Sequence, residues 1–196
     1  MFRTIRSEAD VDALIAELEG KPNKDTSLTA RMTQYTPRQF MRFLGVALGY
    51  TGRVVIHGAT LSKDTTDLGY QWPDWWMLTR SFDLAFSWCS MDGAFIDTLM
   101  YEWLRNKVVE QLDFQRCKYI QNDKPAFPYP YGQITVDHLS LVSCEPELVH
   151  YVGKFITSMR VRELYVAPVD PHFVQWFSIT PHLQSVILVG IAFDND

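Results

Sequence analysis

Three cysteines are the residues that first suggest chemistry in this sequence, because each closes a similar short segment. The segments are "LAFSWC" at 84–89, "LDFQRC" at 112–117 and "LSLVSC" at 139–144. Cys89, Cys117 and Cys144 are 28 and 27 residues apart, so no pair has the close spacing of a zinc knuckle. An odd number of thiols at the ends of apolar strands indicates buried, unpaired cysteines in a reducing compartment.

Other residue types give little support for catalysis. The five histidines are scattered, and the sequence has no Gly-x-Ser-x-Gly elbow, phosphate-cradling glycine loop or His-Glu-x-x-His pair. We therefore expect a protein that is not an enzyme and that holds no metal and no cofactor. The alternative is an enzyme in which His57 or His138 acts with Asp83 or Asp113 on one face of a sheet.

The composition is that of a globular protein. A chain of 196 residues with 47% apolar and 14% aromatic residues can bury a substantial core. A net charge of −5 provides no electrostatic footprint for a phosphate backbone, so we expect no nucleic-acid partner. The apolar runs are shorter than the roughly 18 residues that span a bilayer, and no signal-peptide core follows Met1. We expect an intracellular protein without a membrane span.

The first fifty residues predict a helical cap. One helix is expected after Ser7 with Gly20 as its end, and a second after Thr36 with Pro37 at its first position. Their buried faces, from helical spacing, are Val11, Leu14, Ile15 and Leu18 in the first and Phe40, Phe43, Leu44, Ala47 and Leu48 in the second. The polar segment "KPNKDTSLTARMTQ" between them predicts a linker. Residues 1–50 would precede a repeat domain of residues 51–196.

The frame of the cysteine segments recurs along this second part. It consists of an apolar anchor, any residue, a second apolar anchor, two further residues, and then cysteine or a small apolar residue. The six first anchors are Val54, Leu84, Leu112, Leu139, Leu164 and Val186. Their separations of 30, 28, 27, 25 and 22 residues mostly match the roughly 20 to 29 residues of a leucine-rich repeat. An apolar residue also precedes the last four anchors by three positions, whereas Thr51 and Ser81 occupy that place in the first two.

Helical patterns lie between several of these strands. They are "SMDGAFIDTLMYEWLRN", "CEPELVHYVGKFITSM" and "DPHFVQWFSITPH". A unit of strand and helix is too small to bury its own apolar face, so neighbouring units must stack with parallel strands. The prediction is an α/β solenoid, a curved parallel sheet with helices on its convex side. The cysteine would occupy the turn, where its thiol can donate a weak hydrogen bond to the backbone of the neighbouring repeat.

The pattern "LxxLxLxxC" resembles the cysteine-containing leucine-rich repeats of F-box-type proteins. The segment "LDFQRCKYIQND" is also similar to the repeat of mitochondrial ATP synthase subunit s (coupling factor B) and its relatives in complex I assembly. This resemblance implies a non-catalytic scaffold, an accessory or adaptor subunit of a mitochondrial respiratory or ATP synthase complex, located on the matrix side or in the cytoplasm. The F-box resemblance implies instead a substrate-recognition subunit, although no leucine-proline entry of an F-box occurs here.

A protein partner is expected on the concave face. The selected residues are Asp113, Gln115, His138, Glu163, Tyr165 and Ile187. Trp72, Trp75 and Trp76 in "GYQWPDWWMLTR" either seal the first repeats or dock into a partner, since tryptophan is favoured at interface hot spots. "KPAFPYPYGQ" predicts a packed extended connector. No polar capping repeat follows the last strand, and an uncovered end of a repeat array also suggests a partner.

Overall fold

The computed structural model describes residues 1–18, 23–32, 35–62, 81–105, 107–121, 134–156, 159–169 and 182–190. Within them lie eleven strands: β1 (Phe2–Ile5), β2 (Asn23–Met32), β3 (Thr51–His57), β4 (Thr60–Leu61), β5 (Ser81–Ser87), β6 (Ser90–Asp92), β7 (Val108–Gln115), β8 (Lys118–Ile120), β9 (Ile134–Val142), β10 (Met159–Ala167) and β11 (Ser185–Leu188). The helices in the same residues are α1 (Glu8–Leu18), α2 (Pro37–Tyr50), α3 (Gly93–Asp97), which continues into a π-helical segment (Thr98–Trp103), and α4 (Pro146–Ile156).

The strands form two parallel sheets. The large sheet has eight strands in the order β1-β2-β3-β5-β7-β9-β10-β11, and the small sheet has three in the order β4-β6-β8. Every pairing is parallel, and both orders follow the chain. Three strands of the large sheet, β3, β5 and β7, are thus each followed after a two-residue corner by a strand of the small one. The protein is an α/β protein built by stepwise addition of neighbouring strands.

The register confirms the repeat frame. The first anchors Val54, Leu84, Leu112, Leu139, Leu164 and Val186 are partners of one another from strand to strand. The second anchors are aligned in the same way, from Ile56 to Leu188. Because side chains alternate along a strand, both rows point to one face of the sheet. The anchors from β3 to β10 are buried there.

The helices cover this buried face. All nine apolar residues predicted for α1 and α2 are buried, and α2 has the predicted cap, with Thr36 accepting from the backbone N–H of Gln39 and Gln39 accepting from that of Thr36. At the centre, the ring of Phe86 stacks on that of Phe114 with centroids 5.5 Å apart. Phe95 of α3 meets Phe86 edge-on at 6.0 Å. Such aromatic pairs stabilise a core beyond the area they bury.

The linker prediction for "KPNKDTSLTARMTQ" was wrong. Residues 23–32 of it form β2, which pairs with β3 so that Leu28 faces Val54 and Ala30 faces Ile56. The apolar residues that alternate in this strand are Leu28, Ala30 and Met32, all buried. These three residues are few and are flanked by polar residues, so the local sequence favours a loop. Pairing with β3 nevertheless makes the segment a strand. In residues 1–18, 23–32 and 35–50 the structure thus contains two strands as well as two helices, so the predicted helical cap is only partly helical.

Two details of the frame also differ from expectation. The outer apolar position of the second repeat is filled by Phe82, since a register shift between Phe82 and Asp83 sets Phe82 opposite Val109. The register shift thus gives Phe82 the apolar contact with Val109 that the residue spacing predicts for position 81. At the other end, Val186 occupies an anchor position but is 40% exposed.

Several predictions lie outside the described residues. They concern Gly20, the tryptophans Trp72, Trp75 and Trp76, the connector 124–133, the helical pattern 170–181, Ile191 and the last residues 193–196. The helices predicted around 93–103 and 146–156 are confirmed, including the buried positions of α4. Within the described residues, no helix has both the length and the apolar character needed to cross a bilayer.

Candidate functional site

The residues that alternate with the buried anchors form the opposite face of the large sheet, which we call the open face. Its first row is Arg53, Asp83, Gln111, His138, Glu163 and Ser185; its second row is Val55, Ala85, Asp113, Ser140, Tyr165 and Ile187; its third row is His57, Ser87, Gln115, Val142 and Ala167. Parallel strands about 4.8 Å apart hold each row in register. The open face therefore presents an ordered array of mostly polar side chains.

A charged network lies at the centre of this face. The Arg53 guanidinium donates to Gln111 Oε1 at 2.9 Å and to Asp113 Oδ2 at 2.6 Å. Gln111 in turn donates to Asp113 Oδ1 at 3.2 Å. Arg53 belongs to β3 and its partners to β7, so its side chain reaches across β5, where the second row has the small residue Ala85. The network ties three strands together on the open face.

Asp83 lies beside this network and is partly buried. Burial raises the pKa of its carboxyl above the ordinary value, and the charge of Arg53 opposes that shift. The neighbouring carboxylates of Glu110 and Asp113 raise the pKa further, whereas a hydrogen bond from the backbone N–H of Gln111 lowers it. One guanidinium thus serves two carboxylates, so the centre of the open face carries excess negative charge.

The next two strands carry a histidine–carboxylate pair. His138 Nδ1 lies 3.2 Å from Glu163 Oε2, across the β9–β10 pairing. The pair leaves the Nε2 atom of His138 directed away from this contact. The alternative hypothesis of an enzyme pairs His138 with Asp83 or Asp113. In the structure, His138 instead forms a hydrogen bond with Glu163. Asp113 instead binds Arg53. His57 lies in the third row beside Ser87.

The C-terminal end of the open face is apolar. Tyr165 is half-buried between Ser140 and Ile187 of the second row, and Ile187 is 51% exposed. Val186 and Val189 are exposed as well. β11 therefore has exposed apolar side chains on both of its faces.

The structure divides the predicted partner-binding residues into separate groups. His138 and Glu163 are in contact, and Tyr165 and Ile187 are neighbours in one row. Asp113 lies two strands from Tyr165 and belongs to the Arg53 network, while Gln115 is exposed in the third row. The three tryptophans lie outside the described residues. Sequence reasoning did not select Arg53 and Gln111, although both occupy the same frame position as His138 and Glu163.

The cysteines form a ladder at the corner beside this face. Cys89 Sγ donates to Ile56 O at 3.4 Å, Cys117 Sγ to Phe86 O at 3.3 Å and Cys144 Sγ to Phe114 O at 3.3 Å. Each acceptor is the carbonyl of the second anchor in the preceding repeat. All three thiols are buried and unpaired, and hydrogen bonding with the neighbouring thiols together with burial raises the pKa of Cys117. The predicted structural role of the cysteines is confirmed.

No set of three or more histidine, cysteine or acidic side chains in the described part of the chain is arranged to hold a metal ion. Comparison with known protein-family models, curated proteins and solved structures finds no match to this chain.

Proposed function

We propose that the chain is a cysteine-containing, leucine-rich-repeat-like solenoid that serves as a non-catalytic accessory or adaptor subunit. It would bind a protein partner through the open face. The observation that carries this proposal is the in-register array of side chains across six parallel strands, with charged residues at its centre and exposed apolar residues at its C-terminal end. A broad, stiff surface of this kind suits recognition of a polypeptide better than of a small molecule.

The repeated unit supports the solenoid assignment. Three consecutive units contain a strand of the large sheet, a corner, and a strand of the small sheet, as in β3–β4, β5–β6 and β7–β8. The corner residues connect the units through their backbones: Gly58 N–H donates to Ser87 O, Trp88 N–H to Gln115 O and Arg116 N–H to Val142 O. At these corners each unit thus makes its backbone hydrogen bonds with the next unit along the chain, as neighbouring units do in a repeat array.

The resemblance to mitochondrial ATP synthase subunit s and to complex I assembly proteins makes a respiratory or ATP synthase complex the first assembly to examine. A substrate-recognition subunit of the F-box leucine-rich-repeat type is the alternative within the same class. The two differ in partner: the first would associate with respiratory-complex subunits and the second with a Skp1-like adaptor.

The test is affinity capture of the full chain from its native cell, compared with a double variant, Asp113→Ala with Tyr165→Ala. These substitutions remove one charged and one aromatic contact from the open face. Because interface hot spots contribute at least about 2 kcal/mol each, we expect capture of the partner to fall roughly tenfold or more. Identification of the captured subunits by mass spectrometry separates the respiratory assembly from the adaptor.

A matched control is available outside the open face. Glu147 is exposed on α4 and Trp88 is exposed at the corner, so Glu147→Ala with Trp88→Ala removes the same two kinds of side chain elsewhere. The control should capture the partner as the unmodified protein does. Equal capture by the open-face variant, when circular dichroism shows it to be folded, would refute the proposed surface.

A further inference from the structure

A buried cluster of polar groups joins α3 to α4 on the helix side of the molecule. Asp97, at the end of α3, is only 7% exposed, and its Oδ1 accepts a hydrogen bond of 3.0 Å from the Tyr151 hydroxyl of α4. The ring of Tyr151 stacks on that of Tyr119 from β8 with centroids 5.3 Å apart. Three elements distant in sequence therefore meet around a single carboxyl group.

Gly93 shows how closely the elements meet. A Cβ atom at this position would lie 2.7 Å from the Tyr151 hydroxyl oxygen and 2.9 Å from that of Tyr119. Both phenols thus converge on the first turn of α3, and only glycine leaves room for them. The π-helical segment that begins at Thr98 follows directly after Asp97, and π-helical turns often occur at functional positions.

We propose that this junction is a pH-dependent clamp, which tightens when the Asp97 carboxyl takes up a proton and loosens when it ionises. The hydrogen bond from Tyr151 is compatible with both forms, because a neutral carboxyl also has an acceptor oxygen. Ionisation instead places a negative charge in a buried site, and opening the junction to water relieves that cost.

The surrounding groups determine the pKa of the Asp97 carboxyl in the closed junction. Burial is the main cause that raises the pKa of Asp97, to about 6, while the hydrogen bond from Tyr151 and the charge of Lys154 lower it and the buried carboxylate of Asp92 raises it. Lys154 lies with its Nζ 4.8 Å from the centroid of the Tyr151 ring. Tyr101 of the π-helical segment also faces this charge, since burial and then the charge of Asp97 raise the pKa of its phenol.

Two further titratable groups lie on α4 or just before it. The Glu145 carboxylate, just before α4, accepts from the Tyr119 backbone N–H at 3.0 Å. His150 is exposed on α4.

The direction in which pH shifts the junction between open and closed follows from the pKa of the Asp97 carboxyl in each state. When the junction opens, the carboxyl returns toward its ordinary pKa of 3.8, and when it closes the pKa is about 6. The closed junction therefore binds the proton more tightly. As pH falls from about 6 to about 4, closing is favoured by up to about tenfold per pH unit. Well above pH 6 the carboxyl is ionised in both states, so no further change from Asp97 is expected there.

The first experiment follows the Asp97 carboxyl carbon by NMR in the intact protein. We expect a titration midpoint near 6, and a midpoint near 4 would overturn the proposal. In Tyr151→Phe the carboxyl loses the hydrogen bond that lowers its pKa, so the midpoint should move upward. An unchanged midpoint in this variant would contradict the clamp even if other variants fail to fold.

The second experiment measures hydrogen exchange of the α4 amides at pH 4.5 and pH 6.5, corrected for intrinsic exchange. In the unmodified protein we expect the opening constant to be at least about tenfold larger at the higher pH. Asp97→Asn, which cannot ionise, should abolish the difference, and His150→Gln should preserve it. A pH-independent opening constant, or a difference that persists in Asp97→Asn, would refute the proposal.

Discussion

At the scale of single residues, the three cysteine thiols occupy the same position and make the same backbone contact in successive units. Each sulfur is small enough for the corner and donates to the carbonyl of the preceding repeat at 3.3 to 3.4 Å. A thiol is a weak donor, so packing contributes more to stability than the hydrogen bond. Cys117 is the central member of the ladder and has thiol neighbours on both sides.

Cys117→Ala should therefore destabilise the protein by about 1 kcal/mol, a typical cost for deleting one buried heavy atom. Urea denaturation followed by circular dichroism measures this change. In the unmodified protein, a thiol reagent should label Cys89, Cys117 and Cys144 only as fast as the protein opens. Rapid labelling in native buffer would show that the thiols are accessible without opening of the protein.

Residue types alone did not reveal every important interaction on the open face. Arg53, Gln111 and Asp113 all alternate with the apolar anchors of the frame, and the structure places them on one face of the large sheet. It could not show that the Arg53 side chain crosses β5 to reach Asp113, since this contact joins residues 60 positions apart. The frame places His138 and Glu163 on the same face, but only the register of β9 and β10 shows that the two side chains are paired.

At the scale of elements, the turn that follows a strand of the large sheet imposes a particular backbone conformation. Gly58, Trp88, Arg116, Ser143 and Gly190 occupy equivalent places, and their φ angles are 67°, 57°, 53°, 53° and 74°. Only glycine adopts this left-handed conformation without a steric penalty. The position thus tolerates other residues at a cost, because it turns the chain out of the large sheet after β3, β5, β7, β9 and β11.

This cost can be measured by reciprocal substitutions. Gly58→Ala should destabilise the protein by about 1 kcal/mol through backbone strain alone, since no heavy atom lies within 4 Å of the added Cβ. Ser143→Gly should have the opposite sign and stabilise by up to about 1 kcal/mol, reduced by the greater freedom of glycine in the unfolded chain. Thermal unfolding of the two variants checks both signs, and destabilisation by Ser143→Gly would contradict the strain argument.

The helices could be predicted well because their signals are local. Capping residues, Pro37 and Pro146 at helix starts, and 3.6-residue spacing all act within one turn or two. β2 was missed for the converse reason, because its strand character depends on pairing with β3. The register shift between β5 and β7 was missed in the same way, since it depends on the pairing of Phe82 with Val109.

At the scale of the whole molecule, stability should vary along the array of strands. β7 and β9 have neighbours on both sides and buried anchors, whereas β11 pairs with β10 alone among the described residues and has exposed side chains at Val186 and Ile187. Local opening is easiest where few apolar contacts must be broken. The last strand should therefore open more often than the centre of the sheet.

We expect the backbone amides of β11 to exchange with deuterium roughly a hundredfold faster than those of β7, a range that local opening free energies readily span. Mass spectrometry of peptic fragments resolves the two strands. If the captured partner covers the C-terminal end of the open face, protection of β11 should rise in the complex while that of β7 stays constant. Equal exchange of β7 and β11 in the isolated protein would contradict a graded array.

The sequence by itself determined the six in-register strands that carry the anchors, the four helices of the described residues and the buried thiols. These depend on two-residue and 3.6-residue periodicities, which a short window of the chain reveals, and on their recurrence at intervals of 22 to 30 residues. Only the tertiary structure decided that the sheet extends through β2 to β1, that Arg53 reaches Asp113, and that Tyr151 meets Asp97. Those contacts join residues that are 26 to 60 positions apart, and their free energy arises from burial and pairing that exist only when distant segments are brought together.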